Sequence, residues 1–355
     1  MSRFLHEDYQ SLTPYTPGEQ PKDQIPLIKL NTNESPYPPS PAVAACLNCE
    51  LADSLRLYPD PELTSLREAL ANKFGLKKEN VFCGNGSDDV LAFSIMAFTG
   101  RGGEIAAPDI SYGFYPVYAS IFGANLIAKP LRDDLSIDPD DFIGIHKNIV
   151  IANPNAPTGL VLSLDVIEKI VQSNPDHVVI IDEAYGDFWG ESAAELVKKY
   201  NNLIVVQTFS KSRSLAGLRV GFALASEELI QDLDRMKFSF NPYNLSRLTL
   251  AAACAALSEP SYYENCVNEI KTTREYVKEA LKTLGFSVTD SKANFVFASH
   301  PDIPGAVFMQ KLRDHGFLVR HFNQSRISNY LRITIGTPAQ MQLFIQTVEK
   351  IIQEA

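Results

Sequence analysis

The sequence is poor in cysteine and in basic residues, and it has no long apolar run. Its five cysteines among 355 residues are an odd number, which is typical of reduced thiols in a cytoplasmic protein. Cys46 and Cys49 have the spacing of a redox or zinc pair, but no second pair or histidine follows at a metal-site interval, so no metal is predicted. Because no apolar stretch approaches bilayer length and residues 1–8 mix charged with apolar side chains, neither a membrane anchor nor a signal peptide is expected.

Acidic residues outnumber basic ones by 42 to 32, which gives a net charge of −10. This balance argues against a broad surface for nucleic acid or anionic membranes, so specific basic residues must hold any anionic ligand. A chain of this length with 45% hydrophobic and 21% charged residues is expected to form one large core and a smaller satellite domain.

Local patterns predict an arm followed by an α/β domain. Residues 11–41 are rich in proline, which indicates an extended arm that crosses another surface or another subunit. Asp60 and Pro61 then predict the start of a helix that Gly75 ends. Farther on, short β-branched runs alternate with helical stretches up to about residue 225. Such runs are typical of strands buried on both faces, so we predict a mostly parallel central sheet sandwiched by helices.

The C-terminal part has a different pattern. The stretch from Glu259 to Leu284 predicts a long amphipathic helix, and shorter strands and helices follow it. We therefore expect a smaller α+β domain there. The predicted division is an N-terminal arm over residues 1–40, a large domain over 41–265 and a small domain over 266–355.

Polar residues directly follow several of the predicted buried strands. Lys211 lies in a turn after one such strand, and Asp182 and Tyr185 follow another. The small-residue loop from Gly84 to Asp88 opens a helix, where backbone N–H groups hold phosphates. Ligands of such sheets gather at the carboxyl ends of the strands. An amine, a carboxylate, a phenol and a phosphate site are together what pyridoxal 5'-phosphate requires of a protein.

Each of these residues also has an ordinary structural interpretation. Lys211 would be a surface cation in a turn, and Asp182 a turn acid. Ser87 would be a plain helix cap, and Tyr185 an amphipathic residue in a wall of the core. The ordered set of motifs, rather than any single residue, favours the functional interpretation.

The motifs occur in the order found in a known enzyme family. Asn153-Pro154-Asn155-Ala156-Pro157-Thr158-Gly159 comes first, followed by Asp182 with Tyr185, then Ser210-Lys211, then Arg219. In this order the chain resembles the fold-type-I pyridoxal-phosphate-dependent aminotransferases, nearly end to end. Within them it is most similar to the histidinol-phosphate aminotransferases. Supporting segments are residues 12–18, 30–36, 58–60, 84–88 and 331–336.

The resemblance implies a role for each residue near the cofactor. Lys211 would form an aldimine with the cofactor aldehyde and would move a proton once freed. Asp182 would keep the ring nitrogen protonated, Tyr185 would hydrogen-bond the ring oxygen, and Tyr112 would stack on the ring face. The implied phosphate ligands are Ser87, Asp88, Thr208, Ser210, Arg219 and, from the partner subunit of a homodimer, Tyr58.

One position departs from the family pattern. Where most relatives have an asparagine directly before Pro-Thr-Gly, this chain has Ala156, and Asn155 lies one position earlier. Two alternatives follow. Either Asn155 reaches the cofactor ring oxygen through a shifted turn, or that contact is absent.

The resemblance also implies the substrates. Arg332 would pair with the α-carboxylate of glutamate, and Arg320 would bind the phosphate of histidinol phosphate, with Tyr15 and Asn33 of the arm assisting. The implied reaction moves an amino group between histidinol phosphate or imidazole-acetol phosphate and glutamate or 2-oxoglutarate, in histidine biosynthesis. An aromatic amino acid aminotransferase and a decarboxylase of phosphorylated amino acids share these motifs and stay open. A catalytically silent binding module is disfavoured because the cofactor residues are all present.

Overall fold

The computed structural model describes residues 2–10, 12–21 and 27–354. The parts of the predicted arm at residues 1, 11 and 22–26 lie outside the described residues. In chain order the strands are β1 (Ile28–Lys29), β2 (Val81–Asn85), β3 (Glu104–Pro108), β4 (Asn125–Lys129), β5 (Asn148–Ala152), β6 (Val179–Asp182), β7 (Leu203–Thr208), β8 (Val220–Ala225), β9 (Ser287–Val288), β10 (Phe295–Ser299), β11 (Phe317–Leu318), β12 (Arg320–His321) and β13 (Tyr330–Thr334). The helices are α1 (Pro41–Cys46), α2 (Cys49–Asp53), α3 (Thr64–Phe74), α4 (Gly86–Phe98), α5 (Tyr115–Phe122), α6 (Leu164–Ser173), α7 (Glu227–Phe240), α8 (Arg247–Leu257), α9 (Pro260–Thr283), α10 (Gly305–Asp314) and α11 (Pro338–Gln353).

Seven strands form a central sheet in the order β2-β8-β7-β6-β5-β3-β4. The strands from β7 through β6, β5 and β3 to β4 are parallel neighbours, and β8 is antiparallel to both β7 and β2. The predicted α/β class with a mostly parallel sheet is therefore confirmed.

Alternation along the strands builds a core on each face of this sheet. In β7, Leu203 and Val205 pack into one core, whereas Ile204 and Val206 pack into the other. Successive strand residues point to opposite faces, so a continuous apolar run is needed where both faces are covered. Helices α1, α3, α6 and α8 contribute to the first core, and α4, α5 and α7 contribute to the second.

A third core lies in the C-terminal part. Strands β12, β13, β10 and β9 form an antiparallel sheet in that order, and α9, α10 and α11 pack on it. Helix α9 reaches two cores, because Tyr263 packs with the central sheet whereas Val277 packs with the C-terminal sheet. The predicted division at residues 265 and 266 lies within this helix. That division stays a prediction, and the packing of α9 supports it.

The arm is attached to the C-terminal core. Strand β1 pairs in parallel with β11, and Leu30 beyond it is 2% exposed in that core. Among the described residues, no helix combines the length and the apolar character needed to cross a membrane.

The start of α3 differs from the prediction. The helix begins at Thr64 rather than near Pro61, because the buried Leu63 adopts a left-handed conformation with φ of 53°. The Asp60 carboxylate still accepts hydrogen bonds from the backbone N–H groups of Glu62 and Thr64. Gly75 ends the helix as predicted, with φ of 60°.

Candidate active site

Five loops meet at one edge of the central sheet. Because β2, β6 and β7 run in the same direction, their carboxyl ends share this edge, and the antiparallel β8 begins there. The loops surround a cleft with a volume of about 100 Å³. The residues that line it are Ser87, Asp88, Tyr112, Ala152, Ala156, Asp182, Ala184, Tyr185, Thr208, Ser210, Lys211 and Arg219.

One end of the cleft has the chemistry of an anion site. Ser87 and Asp88 lie in the first turn of α4, whose N-terminus receives no side-chain cap from Asn85. The Arg219 guanidinium approaches this turn, and its Nη2 donates to Asp88 Oδ2 at 2.9 Å. Free N–H groups at a helix start beside a guanidinium favour a phosphate.

The chain conformation around this end depends on two glycines. Gly86 has φ of 81°, and a Cβ atom there would lie 2.3 Å from Arg219 Nη2. A Cβ atom on Gly221 of β8 would lie 2.2 Å from the backbone N of Ser87. Arg219 itself has φ of 52°, a strained value for a residue with a side chain. The cradle therefore exists only because both positions lack a side chain.

Thr208 and Ser210 lie at the same end of the cleft. The Thr208 hydroxyl contacts the Ser210 hydroxyl at 2.9 Å, and both side chains are buried. The five phosphate ligands predicted within one subunit therefore lie together at this end of the cleft: Ser87, Asp88, Thr208, Ser210 and Arg219. These residues fit the phosphate of the cofactor predicted from the sequence.

Asp182 is a buried acid at the end of β6, with 4% exposure. Its carboxylate accepts hydrogen bonds from the Tyr115 hydroxyl at 2.9 Å and from the backbone N–H of Ala184 at 3.1 Å. Burial raises the pKa of Asp182 to about 6, although both hydrogen bonds act in the opposite direction. A buried carboxylate without a cationic partner suits a protonated ring nitrogen.

Lys211 is the amine of the cleft. Its Nζ donates to the backbone carbonyl of Thr32 at 3.0 Å. Burial, followed by the nearby charge of Arg332, lowers the pKa of Lys211 to about 8. An amine with that pKa is partly neutral at physiological pH, as a nucleophile or base requires.

Tyr185 lies beside Lys211, with its ring centroid 5.9 Å from the Lys211 Nζ. Its ring packs edge-on against Phe295 at 5.2 Å. Its hydroxyl accepts a hydrogen bond from the Asn33 side chain at 2.8 Å. Burial raises the pKa of Tyr185, so the phenol stays protonated near neutral pH.

Tyr112 also lines the cleft, at its phosphate end. Its hydroxyl donates to Asp88 Oδ1 at 2.7 Å, and its ring meets that of Tyr115 edge-on at 5.6 Å. This position is compatible with the predicted contact to a ring face.

The structure does not bring Asn155 into the cleft. Its amide nitrogen donates to the Ile110 carbonyl and to Thr158 Oγ1, and its oxygen accepts from Ser111 Oγ at 2.7 Å. Both the amide nitrogen and the amide oxygen are thus engaged by Thr158 and by the loop after β3, and Ala156 lines the cleft instead. Of the two sequence alternatives, the geometry supports the absent contact.

Two arginines of the C-terminal sheet lie beyond the residues that line the cleft: Arg332 is close enough to Lys211 to lower its pKa, and Arg320 lies near Arg332. Arg332 Nη2 donates to the Asn31 carbonyl at 3.1 Å, while its buried Nε has no hydrogen-bond partner among the described residues. Arg320 donates to the carbonyls of Thr16 and Pro17 in the arm. An unpaired guanidinium N–H in a buried place fits an anionic substrate group.

The arm packs against residues that line the cleft. Tyr15 stacks on Phe114 with ring centroids 4.1 Å apart, and it lies 6.3 Å from the ring of Tyr112. Asn33 is 1% exposed and contacts Tyr185. The two predicted arm residues therefore lie at the cleft, although Asn33 faces a cofactor-site residue.

Tyr58 is another predicted site residue that lies away from the cleft. It is 76% exposed and stacks on Tyr243 at 4.6 Å, away from the residues that line the cleft. A role for Tyr58 at a phosphate therefore requires a second subunit.

Sequence reasoning missed two contacts of the site. Tyr115, which was not among the predicted site residues, donates to Asp182, and the Thr32 carbonyl accepts from Lys211. The only signal for Tyr115 was its position three residues after Tyr112.

The chain matches the family described as aminotransferase class I and II over residues 25–348. It belongs to this family. A histidinol-phosphate aminotransferase of Brachyspira hyodysenteriae is 51% identical over 354 residues, which cover 99% of this chain and all of that protein. One of Acinetobacter baylyi is 50% identical over 353 residues, which cover 99% of this chain and 98% of that protein.

A solved aminotransferase structure has the same fold. It is the histidinol-phosphate aminotransferase of Sinorhizobium meliloti in complex with pyridoxal-5'-phosphate, with a TM-score of 0.89 and 25% identity. The match covers 100% of this chain and 98% of that chain. The predicted fold-type-I architecture of this aminotransferase is therefore confirmed.

Proposed function

We propose that the protein is a pyridoxal-phosphate-dependent aminotransferase that moves an amino group between L-histidinol phosphate or imidazole-acetol phosphate and glutamate or 2-oxoglutarate. The observation that carries the proposal is 51% identity over 354 residues to an enzyme of that name, in a chain that retains the cleft. Histidine biosynthesis is the corresponding pathway.

The cleft fits the cofactor at both of its ends. When bound, pyridoxal phosphate supplies an aldehyde that combines with amines and a ring that accepts electrons from the adjacent carbon. The start of α4, Arg219 and the hydroxyls of Thr208 and Ser210 would hold the phosphate. Asp182 would hold the ring nitrogen and keep its proton in place, because a buried carboxylate is most stable beside a positive charge.

Lys211 would move the proton of the reaction. With a pKa of about 8, roughly a tenth of this amine is neutral at pH 7. The neutral Nζ can accept the proton that leaves the substrate α-carbon. Closure of the arm over the cleft limits the access of water to that proton.

The two arginines account for the substrate charges. Arg332, with its unpaired Nε, would bind a carboxylate, and Arg320 would bind the substrate phosphate near the arm. Tyr15 would complete the wall of this end. The carboxylate of glutamate and the phosphate of histidinol phosphate would thus each meet a positive charge.

The proposal includes a homodimer in which Tyr58 reaches the cleft of the partner. The exposure of Tyr58, together with its exposed apolar neighbours Leu55 and Leu57 at 48% and 49%, supports an interface there. It also includes a cytoplasmic location, which the five free cysteines support.

A substrate panel tests the reaction. Holoenzyme with 2-oxoglutarate is given histidinol phosphate, phenylalanine, tyrosine or a phosphorylated amino acid, and glutamate and carbon dioxide are measured. We expect glutamate formation to be fastest with histidinol phosphate. Preference for an aromatic amino acid, or release of carbon dioxide from the phosphorylated amino acid, would contradict the proposal.

A further inference from the structure

Asn33 makes a contact that its predicted role at the substrate does not explain. Its Nδ2 donates to the hydroxyl of Tyr185 at 2.8 Å, inside the cofactor end of the cleft. The same end lacks an amide at position 156, where the chain has alanine. Near Tyr185 the cleft therefore lacks the amide donor that position 156 would supply. The side chain of Asn33, in the arm, donates to Tyr185 instead.

The orientation of the Asn33 amide follows from its other partners. The backbone N–H of Asn33 donates to Thr334 Oγ1 at 3.0 Å, so that hydroxyl must direct its own proton elsewhere. Thr334 Oγ1 lies 3.1 Å from Asn33 Oδ1 and donates to it. The oxygen of the amide thus faces Thr334, and its nitrogen faces Tyr185.

The backbone of Asn33 is also fixed. Its φ of 56° lies in the left-handed region, which asparagine tolerates better than most residues. Its carbonyl accepts from Asn294 Nδ2 at 3.0 Å, and the residue is 1% exposed. Strand β13 and the segment before β10 therefore hold Asn33 from two sides.

The contact with Asn33 determines where the Tyr185 hydroxyl can direct its proton. Since this oxygen accepts a hydrogen bond from Asn33, its proton is free to point away from Asn33. We propose that Asn33 is a positioning residue: it orients the Tyr185 hydroxyl to donate to the ring oxygen of the cofactor and so compensates for Ala156. This inference rests on the proposed cofactor.

The effect is measurable in the absorbance of the holoenzyme. Donors to the ring oxygen reduce its negative charge, so the neighbouring nitrogen from Lys211 holds its proton less tightly. Loss of a donor therefore raises the pH midpoint of the absorbance change. Other charged or titratable groups around Tyr185 are Lys211, Arg332, Asp182 and Tyr15, and every variant below retains them.

The test uses spectral pH titrations of holoenzyme variants. Asn33→Gly keeps the left-handed backbone accessible while it removes the amide. We expect it to raise the midpoint by about half to one pH unit, which is the size of one net hydrogen bond. Thr334→Val, which removes the hydroxyl that orients the amide, should shift the midpoint in the same direction.

A double-mutant cycle tests whether Asn33 acts through Tyr185. Tyr185→Phe should raise the midpoint, and Asn33→Gly should cause no further rise in that background. The matched control is Asn31→Ala. Asn31 is a neighbouring asparagine with 2% exposure whose amide donates to the Glu19 carbonyl, so its loss should leave the midpoint unchanged.

The outcomes separate this inference from the proposed function. An unchanged midpoint in Asn33→Gly, or equal shifts from Asn33→Gly with and without the Tyr185 hydroxyl, overturns the positioning role but leaves the aminotransferase proposal intact. If the unmodified protein acquires no cofactor absorbance band when saturated with pyridoxal phosphate, both are overturned.

Discussion

Burial changes the acid–base properties of two residues of the cleft in opposite directions. It raises the pKa of Asp182 to about 6 and lowers that of Lys211 to about 8. In both cases the charged form loses the solvation that water would provide. The acid is therefore suited to pair with a charged ring, and the amine is suited to react with a carbonyl.

The affinity for pyridoxal phosphate should depend on pH through Asp182. Above a pH of about 6 its carboxylate is charged. In the proposed complex it would then pair with the protonated ring nitrogen. As the pH falls through that value the carboxyl becomes neutral, and affinity should drop by up to about tenfold per pH unit. Cofactor dissociation constants from pH 5 to 8 measure the effect.

Asp182→Asn is the control for that prediction. The variant keeps the phosphate end of the cleft, so it keeps any pH dependence that the phosphate itself causes. The difference between the two proteins isolates the carboxyl group, and identical pH profiles would contradict its assignment to the ring nitrogen.

Removal of the Arg320 guanidinium should affect phosphorylated substrates selectively. Arg320→Ala is expected to raise KM for histidinol phosphate by about tenfold to a hundredfold, the effect of one charge-assisted hydrogen bond, and KM for histidinol much less. Steady-state kinetics with both amines measure this difference.

The control for Arg320 must separate the phosphate from the arm, because Arg320 also contacts the arm carbonyls. Arg313 binds Glu19 of the arm through two contacts of 2.7 Å. Arg313→Ala should therefore loosen the arm without the selective rise in KM. Equal effects of the two substitutions would assign Arg320 to the arm alone.

Motif order predicts the residues that line the cleft better than it predicts their partners. The family pattern names Lys211, Asp182 and Arg219 because their types and spacing carry the chemistry. It cannot name Tyr115, since the hydrogen bond from α5 to Asp182 exists only after the two elements pack. For the same reason the sequence could not determine whether the Asn155 side chain reaches the cofactor site.

At the scale of elements, burial decides which strands the sequence predicts. Strands β5 to β8 are almost wholly buried and form continuous apolar runs, so their pattern is clear. The pattern did not indicate β3 or β4. Strand β3 contains two alanines, and β4 is a partly exposed edge strand, so neither has a strong β-branched run.

We predict that β8 and α4 lie too close together for any side chain at position 221. Gly221→Ala would place a Cβ atom 2.2 Å from the Ser87 backbone N and displace the start of α4. We expect a loss of about 1–3 kcal/mol in the free energy of unfolding and weaker cofactor retention. Denaturant unfolding and cofactor titration measure the two effects.

Gly217→Ala is the matched control. Gly217 lies in the same connection before β8, and an added Cβ atom there would have nothing within 4 Å. Both measured quantities should stay close to those of the unmodified protein. A tolerated Gly221→Ala would show that α4 can shift without loss of the phosphate site.

At the level of the dimer, the position of Tyr58 predicts that this residue acts in the site of the partner subunit. Lys211→Ala and Tyr58→Ala should each impair the enzyme, since each removes a part of every site. In a mixed dimer one site carries both defects and the other carries none. If the variants pair at random, half of the dimers are mixed, so a quarter of all sites are intact. Coexpression should therefore restore about a quarter of the activity of the unmodified enzyme.

The same mixture distinguishes a contribution within one subunit. If Tyr58 acted on the cleft of its own chain, every site of the mixed dimer would retain one defect. No recovery above the separate variants would then be seen, although both variants remained dimeric by light scattering.

One connection of the central sheet contains two residues that we propose hold the cofactor. The loop between β7 and β8 contains Lys211 and ends at Arg219, whereas Arg320 and Arg332 belong to the C-terminal sheet. A hinge motion of the C-terminal sheet would consequently open or tighten the grip on the substrate. The spacing between Lys211, the proposed covalent anchor, and Arg219 of the proposed phosphate site would stay constant, so successive substrates could exchange while the coenzyme keeps its place.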